Sequence, residues 1–179
     1  MTATPATAHI GNGPRSAEAS LLAYLRLSAE LSEQSAHGTS GWRYRSPYHL
    51  LLEHGRWFIP AALPPAISRL EERYCYANAS RTARDNAGLL YVEGFGAVDA
   101  GQVVPIAHGW CASADGTAVD PTWSDGAGVA YFGIPFADRS LWPDPDLGGS
   151  LLQEPRNYLP LLRDGLPANA VASVGRPES

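Results

Sequence analysis

The hydrophobic pattern of this chain changes period at Gly88, and that change constrains the fold more than any other feature. Before Gly88 apolar residues recur at helical spacing; after it, β-branched and aromatic residues alternate between turn signals. Helices first and strands afterwards point to an α+β fold. Consecutive strands joined by tight turns pair antiparallel, because parallel neighbours need long crossover connections. Leu21, Leu22, Leu25 and Leu31 predict a helix capped by Ser16 and stopping near Gly38. Ser46, Pro47, Leu50 to Leu52 and Gly55 predict a second, short one with cap, first-turn proline and terminating glycine. Trp57 to Ile59 reads as an extended piece closed by Pro60, and Pro64 to Asn86 as two helical pieces, with Cys75 near the start of the second.

Beyond Gly88, strands are expected over Leu89 to Val98 and Val103 to Cys111. A turn at Asp115-Gly116 leads to a third over Thr117 to Asp120, and Val129 to Ile134 adds another, for three to five in all. Gly94 and Gly96 mark a bulge or a close backbone approach. The stretch from Asp138 to Leu162 is broken into turns and helical pieces by Pro143, Pro145, Pro155 and Pro160. The expected organisation is a tail over residues 1–15, one domain over 16–162 and a second tail over 163–179.

Composition narrows the function. With 179 residues and 45% hydrophobic content the chain can bury a core, while 18 glycines and 15 prolines are too many for a plain helical bundle. No apolar window is long enough for a membrane span, and Met1 to Ile10 lack the basic start and apolar stretch of a secretory signal, so a cytoplasmic location is expected. The net charge is -5 with no basic run, which argues against nucleic acid as a partner. Cys75 and Cys111 are too few for a disulfide framework. All 13 basic residues are arginine.

Three residues carry the chemistry. A thiol is nucleophilic as thiolate, and the unpaired amides of a helix start favour that charge at Cys75. His108, on the second strand, could take the thiol proton and return it to a leaving group. Asp120, at the end of the third, could accept a hydrogen bond from the other ring nitrogen and fix the tautomer. Strand alternation puts Ile106, His108 and Trp110 on one face, expected to be the one toward the Cys75 helix, with Cys111 pointing away. Singly, each has an ordinary explanation: a small buried hydrophobe, a satisfied strand histidine, a turn-forming aspartate. Their order and contexts give them joint weight.

The segments Cys75-Tyr76-Ala77-Asn78-Ala79, Tyr91-Val92-Glu93-Gly94-Phe95, Pro105 to Trp110 and Val119-Asp120-Pro121-Thr122-Trp123 resemble the core of the transglutaminase-like branch of the papain-like cysteine hydrolases. Leu51 to Gly55 and Ala130 to Phe136 are similar to segments of small bacterial and phage proteins with that core. The resemblance covers roughly Ser46 to Phe136. It implies N-terminal helices and a Cys-bearing helix packed on an antiparallel sheet, with Cys75 as nucleophile, His108 as base and acid, and Asp120 as orienter. The superfamily spans peptidases, crosslinkers, acetyltransferases and inactive members, so the resemblance leaves the substrate open.

The expected function is amide or ester hydrolysis, or acyl transfer to an amine, through a Cys75 thioester on a small-molecule or peptide substrate, needing no metal or organic cofactor. The alternatives are a binding or assembly module that keeps the fold without turnover, and a tailoring enzyme that forms an amide bond. The Cys75 amide is the natural first oxyanion donor; Tyr44, Trp57 and Tyr74 are candidates for the second. Asn78 is expected to support the site or, the favoured role, to bond across helix and sheet; Glu93 to support His108 or lie exposed; and Trp110 and Trp123 to cover the His–Asp pair or serve as ordinary core. A zinc site at Cys75, His108 and Cys111 fails on spacing, as does a metal-binding pair at His49 and His54. Gly94 and Gly96 lack the rest of a nucleotide-binding fingerprint. His9 and His37 carry no inferable role. A lysine-free chain has no side-chain amine to acylate in itself, which leaves Cys75 and the N-terminal amine.

Overall fold

The computed structural model describes residues 14–35 and 40–178. The stop near Gly38, His9, His37 and most of the N-terminal tail lie outside the described residues. Helix α1 (Pro14–Ser35) already includes Ser16, so this serine is inside the helix instead of capping it. Its stripe of Ala17, Leu21, Leu25 and Ala29 is buried, whereas Leu31 is exposed. Helix α2 (Pro47–His54) starts as expected, with the Ser46 hydroxyl accepting from the His49 amide, and Gly55 closes it with a hydrogen bond to the Leu51 carbonyl. The helical piece expected from Pro64 is absent; residues 60–74 form turns and irregular chain. Adjacent prolines at 64 and 65 remove a donor and push the preceding residue away from helical geometry. Helix α3 (Cys75–Asp85) has Cys75 as its first residue, and α4 (Pro155–Asp164) follows a 3-10 turn at Arg139–Leu141.

The strands are β1 (Arg56–Phe58), β2 (Leu90–Asp99), β3 (Val103–Ala112), β4 (Ala118–Val119), β5 (Gly128–Phe136) and β6 (Arg176–Pro177). They form one antiparallel sheet in the order β4-β3-β2-β5-β1-β6. The expected meander is β2-β3-β4, but β5 returns to the far side of β2. Six strands replace the expected three to five, because β1 and β6 are too short for alternation to register. The segment 163–178, expected as a tail, instead lies on the body: Ala137 donates to the Ala170 carbonyl, Ala172 to that of Pro135, and Arg176–Pro177 pairs with β1.

The sheet curls toward closure. Ile59, just past β1, donates to the Gly116 carbonyl and accepts from the Ala118 amide, both at 2.9 Å, tying β1 to the opposite end of the strand order. The outer face packs under the helices in the main core, with Leu21, Leu25, Leu50, Leu51, Ala79, Tyr91, Phe132 and Phe136. The inner face gathers Phe58, Val92, Trp110, Ala112, Ala118 and Tyr131. Such a tight interior admits indoles only opposite glycine: a Cβ at Gly133 would fall 2.5 Å from the Trp110 ring, and one at Gly96 2.6 Å from Trp123. Gly94 likewise meets the Phe132-Gly133 backbone, so the glycines of β2 serve close approach, as expected.

Candidate active site

The candidate nucleophile stands where chain direction changes abruptly. Arg73 has φ +77°, a left-handed conformation costly for a residue with a Cβ, and Tyr74 occupies the cap position of α3 without a side-chain capping bond. The amides of the first turn have no intrahelical acceptors and are available to negative charge beside Cys75. That turn lies against β3 at Gly109, where a Cβ would come 3.2 Å from the Tyr76 Cα. Strand β4 pairs β3 only at Cys111 and Ala112, so no strand stands between His108 and the start of α3.

His108 is buried on the inner face of the curl, and its Nε2 lies 2.7 Å from Asp120 Oδ2. Trp123 stacks on the imidazole at 3.8 Å and 9°, with Trp110 further off at 6.2 Å and 18°. His108 and Asp120 are both buried; Trp123 lies directly on the imidazole, while Trp110 packs closer to Tyr131 and Phe58. Asp120 Oδ2 also accepts from the Tyr131 hydroxyl at 2.9 Å, and Oδ1 from the amides of Thr122 and Trp123 at 2.9 and 3.1 Å. Burial by itself would raise the Asp120 pKa, but the bonds from His108 and these amides outweigh it and hold the carboxyl below its ordinary range. Burial by itself would lower the His108 pKa; hydrogen bonds with Asp120 and with Cys75 raise it instead. Because Asp120 takes Nε2, the nitrogen left for the Cys75 thiol is Nδ1. The arrangement can accept a proton from sulfur, hold it as imidazolium and return it.

Several residues fall elsewhere than expected. Cys111 does not point away from the Cys75 helix: its buried thiol donates to the Ala79 carbonyl of α3 at 3.1 Å, and burial pushes its pKa up. His108 is the residue on the opposite, inner face. Which face of β3 lies toward the helices depends on the curl, which alternation alone does not give. Glu93 neither touches His108 nor is exposed. It is fully buried on the outer face and accepts from Tyr91, from the Ser150 hydroxyl and from the amides of Leu151 and Leu152 at 2.9 and 2.8 Å, anchoring that segment to the sheet. Trp57 is no oxyanion donor, since its Nε1 donates to Glu178 at 2.7 Å and its ring packs on Phe132. Tyr44 is likewise engaged with Glu53 and His54. Tyr74 remains beside Cys75, exposed. Asn78 does not bond to the sheet: it donates to the Glu71 carbonyl and to Thr122 Oγ1 at 2.7 and 3.0 Å, tying α3 to the loop before it and to the turn after Asp120.

Tyr131 and Thr122 are supporting residues that sequence reasoning missed. Tyr131 sits in an apolar strand run, and nothing in that run marks one hydroxyl as the partner of Asp120. Thr122 is two residues past Asp120 in an Asx-type turn, a signal that could have been read. Among the described residues no group of three His, Cys, Asp or Glu side chains is placed to hold a metal ion, and no helix is long and apolar enough to cross a membrane. A cavity of about 240 Å³ is lined in part by Asp120, Trp123 and Tyr131, and a cleft of about 870 Å³ in part by Trp57, Ile59, Val129 and Arg176; neither is lined by Cys75 or His108. No family model, curated protein or solved structure matches the chain.

Proposed function

We propose that the protein carries out thiol-dependent acyl chemistry, with Cys75 as nucleophile. The observation that carries this reading is the 2.7 Å His108–Asp120 contact inside an aromatic enclosure, with the other ring nitrogen left to a thiol at a helix start. His108 Nδ1 takes the thiol proton as sulfur attacks an amide or ester carbonyl carbon. The charge on the former carbonyl oxygen is met by the Cys75 amide and its neighbour in the first turn. The tetrahedral intermediate collapses, the bond to the leaving amine or alcohol breaks, and His108 protonates that group. Water or an amine then attacks the thioester, giving up its proton to His108, and the thiol is restored. Asp120 stays ionised throughout and orients the ring. A transglutaminase-like core is the fold reading that accompanies this proposal, supported by the order of Cys on a helix, His on a strand and Asp after the next.

The test is the rate of alkylation at Cys75 with iodoacetamide near neutral pH, together with turnover of activated esters. His108→Ala should slow both, turnover by on the order of a hundredfold or more. A rate at Cys75 indifferent to His108→Ala would sink the reading.

A further inference from the structure

We propose that the cleft at the seam of the curled sheet binds a small organic amine, with an apolar body against Ile59 and Val129 and a cationic head at Asp115. Neither Cys75 nor His108 lines this cleft, so the site stands independently of the acyl chemistry. Five stretches far apart in the chain enclose its volume of about 870 Å³: the end of β1, the turn between β3 and β4, the start of β5, the C-terminal stretch around Gly175, and Glu18 of α1. They are fastened to one another. Besides the bonds of Ile59 to Gly116 and Ala118, Arg56 donates to the Gly175 carbonyl at 3.2 Å, Trp57 Nε1 to Glu178 at 2.7 Å and Arg176 to Glu18 at 2.7 Å. The turn and the C-terminal stretch meet at two glycines of positive φ, where a Cβ on Gly116 would come 3.2 Å from the Gly175 Cα. Walls held in this way need little ordering when a ligand arrives.

The lining is mostly apolar, from Trp57, Phe58, Ile59, Pro60, Ala114 and Val129. Ile59 has its amide and its carbonyl both bonded to the β3–β4 connection, yet its side chain is 61% exposed. An isoleucine pinned by its main chain cannot turn away from water, and an apolar ligand that covers it gains the burial. The volume is in the upper part of the range for small-molecule sites and takes a bicyclic ring with a short tail. Charge selects the head group. The charged residues of the lining are Glu18, Asp115 and Arg176. Arg176 is already paired with Glu18 and lies over the Trp57 ring at 5.8 Å. Asp115 has no cationic partner among the described residues. The Ser113 hydroxyl and the Thr117 amide both donate to its Oδ1, at 2.6 and 3.0 Å, and hold the carboxyl below its ordinary range. Its Oδ2 is left for a donor, and an ammonium brings both donors and the opposite charge. A carboxylate ligand would meet net negative charge, with the one arginine taken.

Isothermal titration calorimetry of the intact protein with naphthylethylamine, naphthylethanol and naphthylacetate tests this, because the three probes share a ring and differ in head-group charge. The amine should bind about fivefold more tightly than the alcohol, and the acid weakest. Asp115→Asn keeps a carbonyl oxygen for Ser113 and Thr117 while removing the charge. It should bring the amine to the alcohol's affinity and leave the alcohol unchanged. Ile59→Thr keeps a β-branched residue on an exposed side chain, so the fold is not at stake, and should weaken all three probes about fourfold. The proposal is overturned by an amine that does not bind saturably or binds no more tightly than the alcohol or the acid. It is equally overturned by an amine preference that survives Asp115→Asn, or by affinities that Ile59→Thr leaves unchanged.

Discussion

Asp120 makes four hydrogen bonds with its two carboxylate oxygens, and its donors divide the work between them. The amides of Thr122 and Trp123 fix its position, Tyr131 shares Oδ2, and His108 is the group it orients. Asp120→Asn presents an amide donor where His108 needs an acceptor, and it favours the wrong tautomer. Turnover should fall by about three to four orders of magnitude, with the fold retained by circular dichroism. Tyr131→Phe removes a single hydroxyl and leaves the ring packing against Trp110 and Trp123. Urea denaturation should show a loss of about 1 kcal/mol, the worth of one buried hydrogen bond. A larger drop in turnover than in stability would mark Tyr131 as positioning the carboxylate as well as packing.

At the scale of elements, the contact between α3 and β3 decides whether Cys75 and His108 meet, and Gly109 decides that contact. A Cβ there lies 2.9 Å from Tyr76 Cδ1, a ring edge that can move, and 3.2 Å from Tyr76 Cα, which moves only with the helix. Gly109→Ala should therefore lift the first turn of α3 and slow alkylation of Cys75 more than it lowers the melting temperature. Gly133→Ala acts on the other face. Its Cβ would overlap the Trp110 ring and approach the Glu93 carbonyl at 2.9 Å, so the interior of the curl is overpacked. A loss of about 1–3 kcal/mol in urea denaturation is expected. Both positions were readable as glycines in strands, but which neighbour each admits was not. Helix α2 was legible in full because its signals are local: a serine cap, a proline in the first turn and a glycine at the end.

For the whole molecule, the buried His–Asp pair couples stability to pH in two directions. His108 has a folded pKa above its ordinary 6.5, so its contribution is complete below that value and is lost as pH rises through the folded one. Asp120 has a folded pKa below its ordinary 3.8, so its contribution is present above 3.8 and is lost as pH falls through the folded one. The pair therefore stabilises most between about pH 4 and 6.5. Glu93, raised by burial, acts oppositely to Asp120: the unfolded chain releases that proton first, so its share declines as pH climbs above 4.5. Urea midpoints across pH for wild type and Asp120→Asn should differ most inside the window, with the gap closing on both sides.

The sequence by itself determined the α+β class, helix α2 and the long strands, and it singled out Cys75, His108 and Asp120 as candidates, because period, caps and turn residues act within a few positions of the chain. The tertiary structure decided what those residues face. The bridge between Ile59 and Thr117 joins segments far apart in the chain and curls the sheet, and that curl sends His108 inward to Trp123 and Tyr131 while turning Cys111 toward α3. Glu93 followed the same rule: its neighbours in sequence are strand residues, whereas the donors that make its burial tolerable come from Ser150 to Leu152, which only the folded chain brings to it.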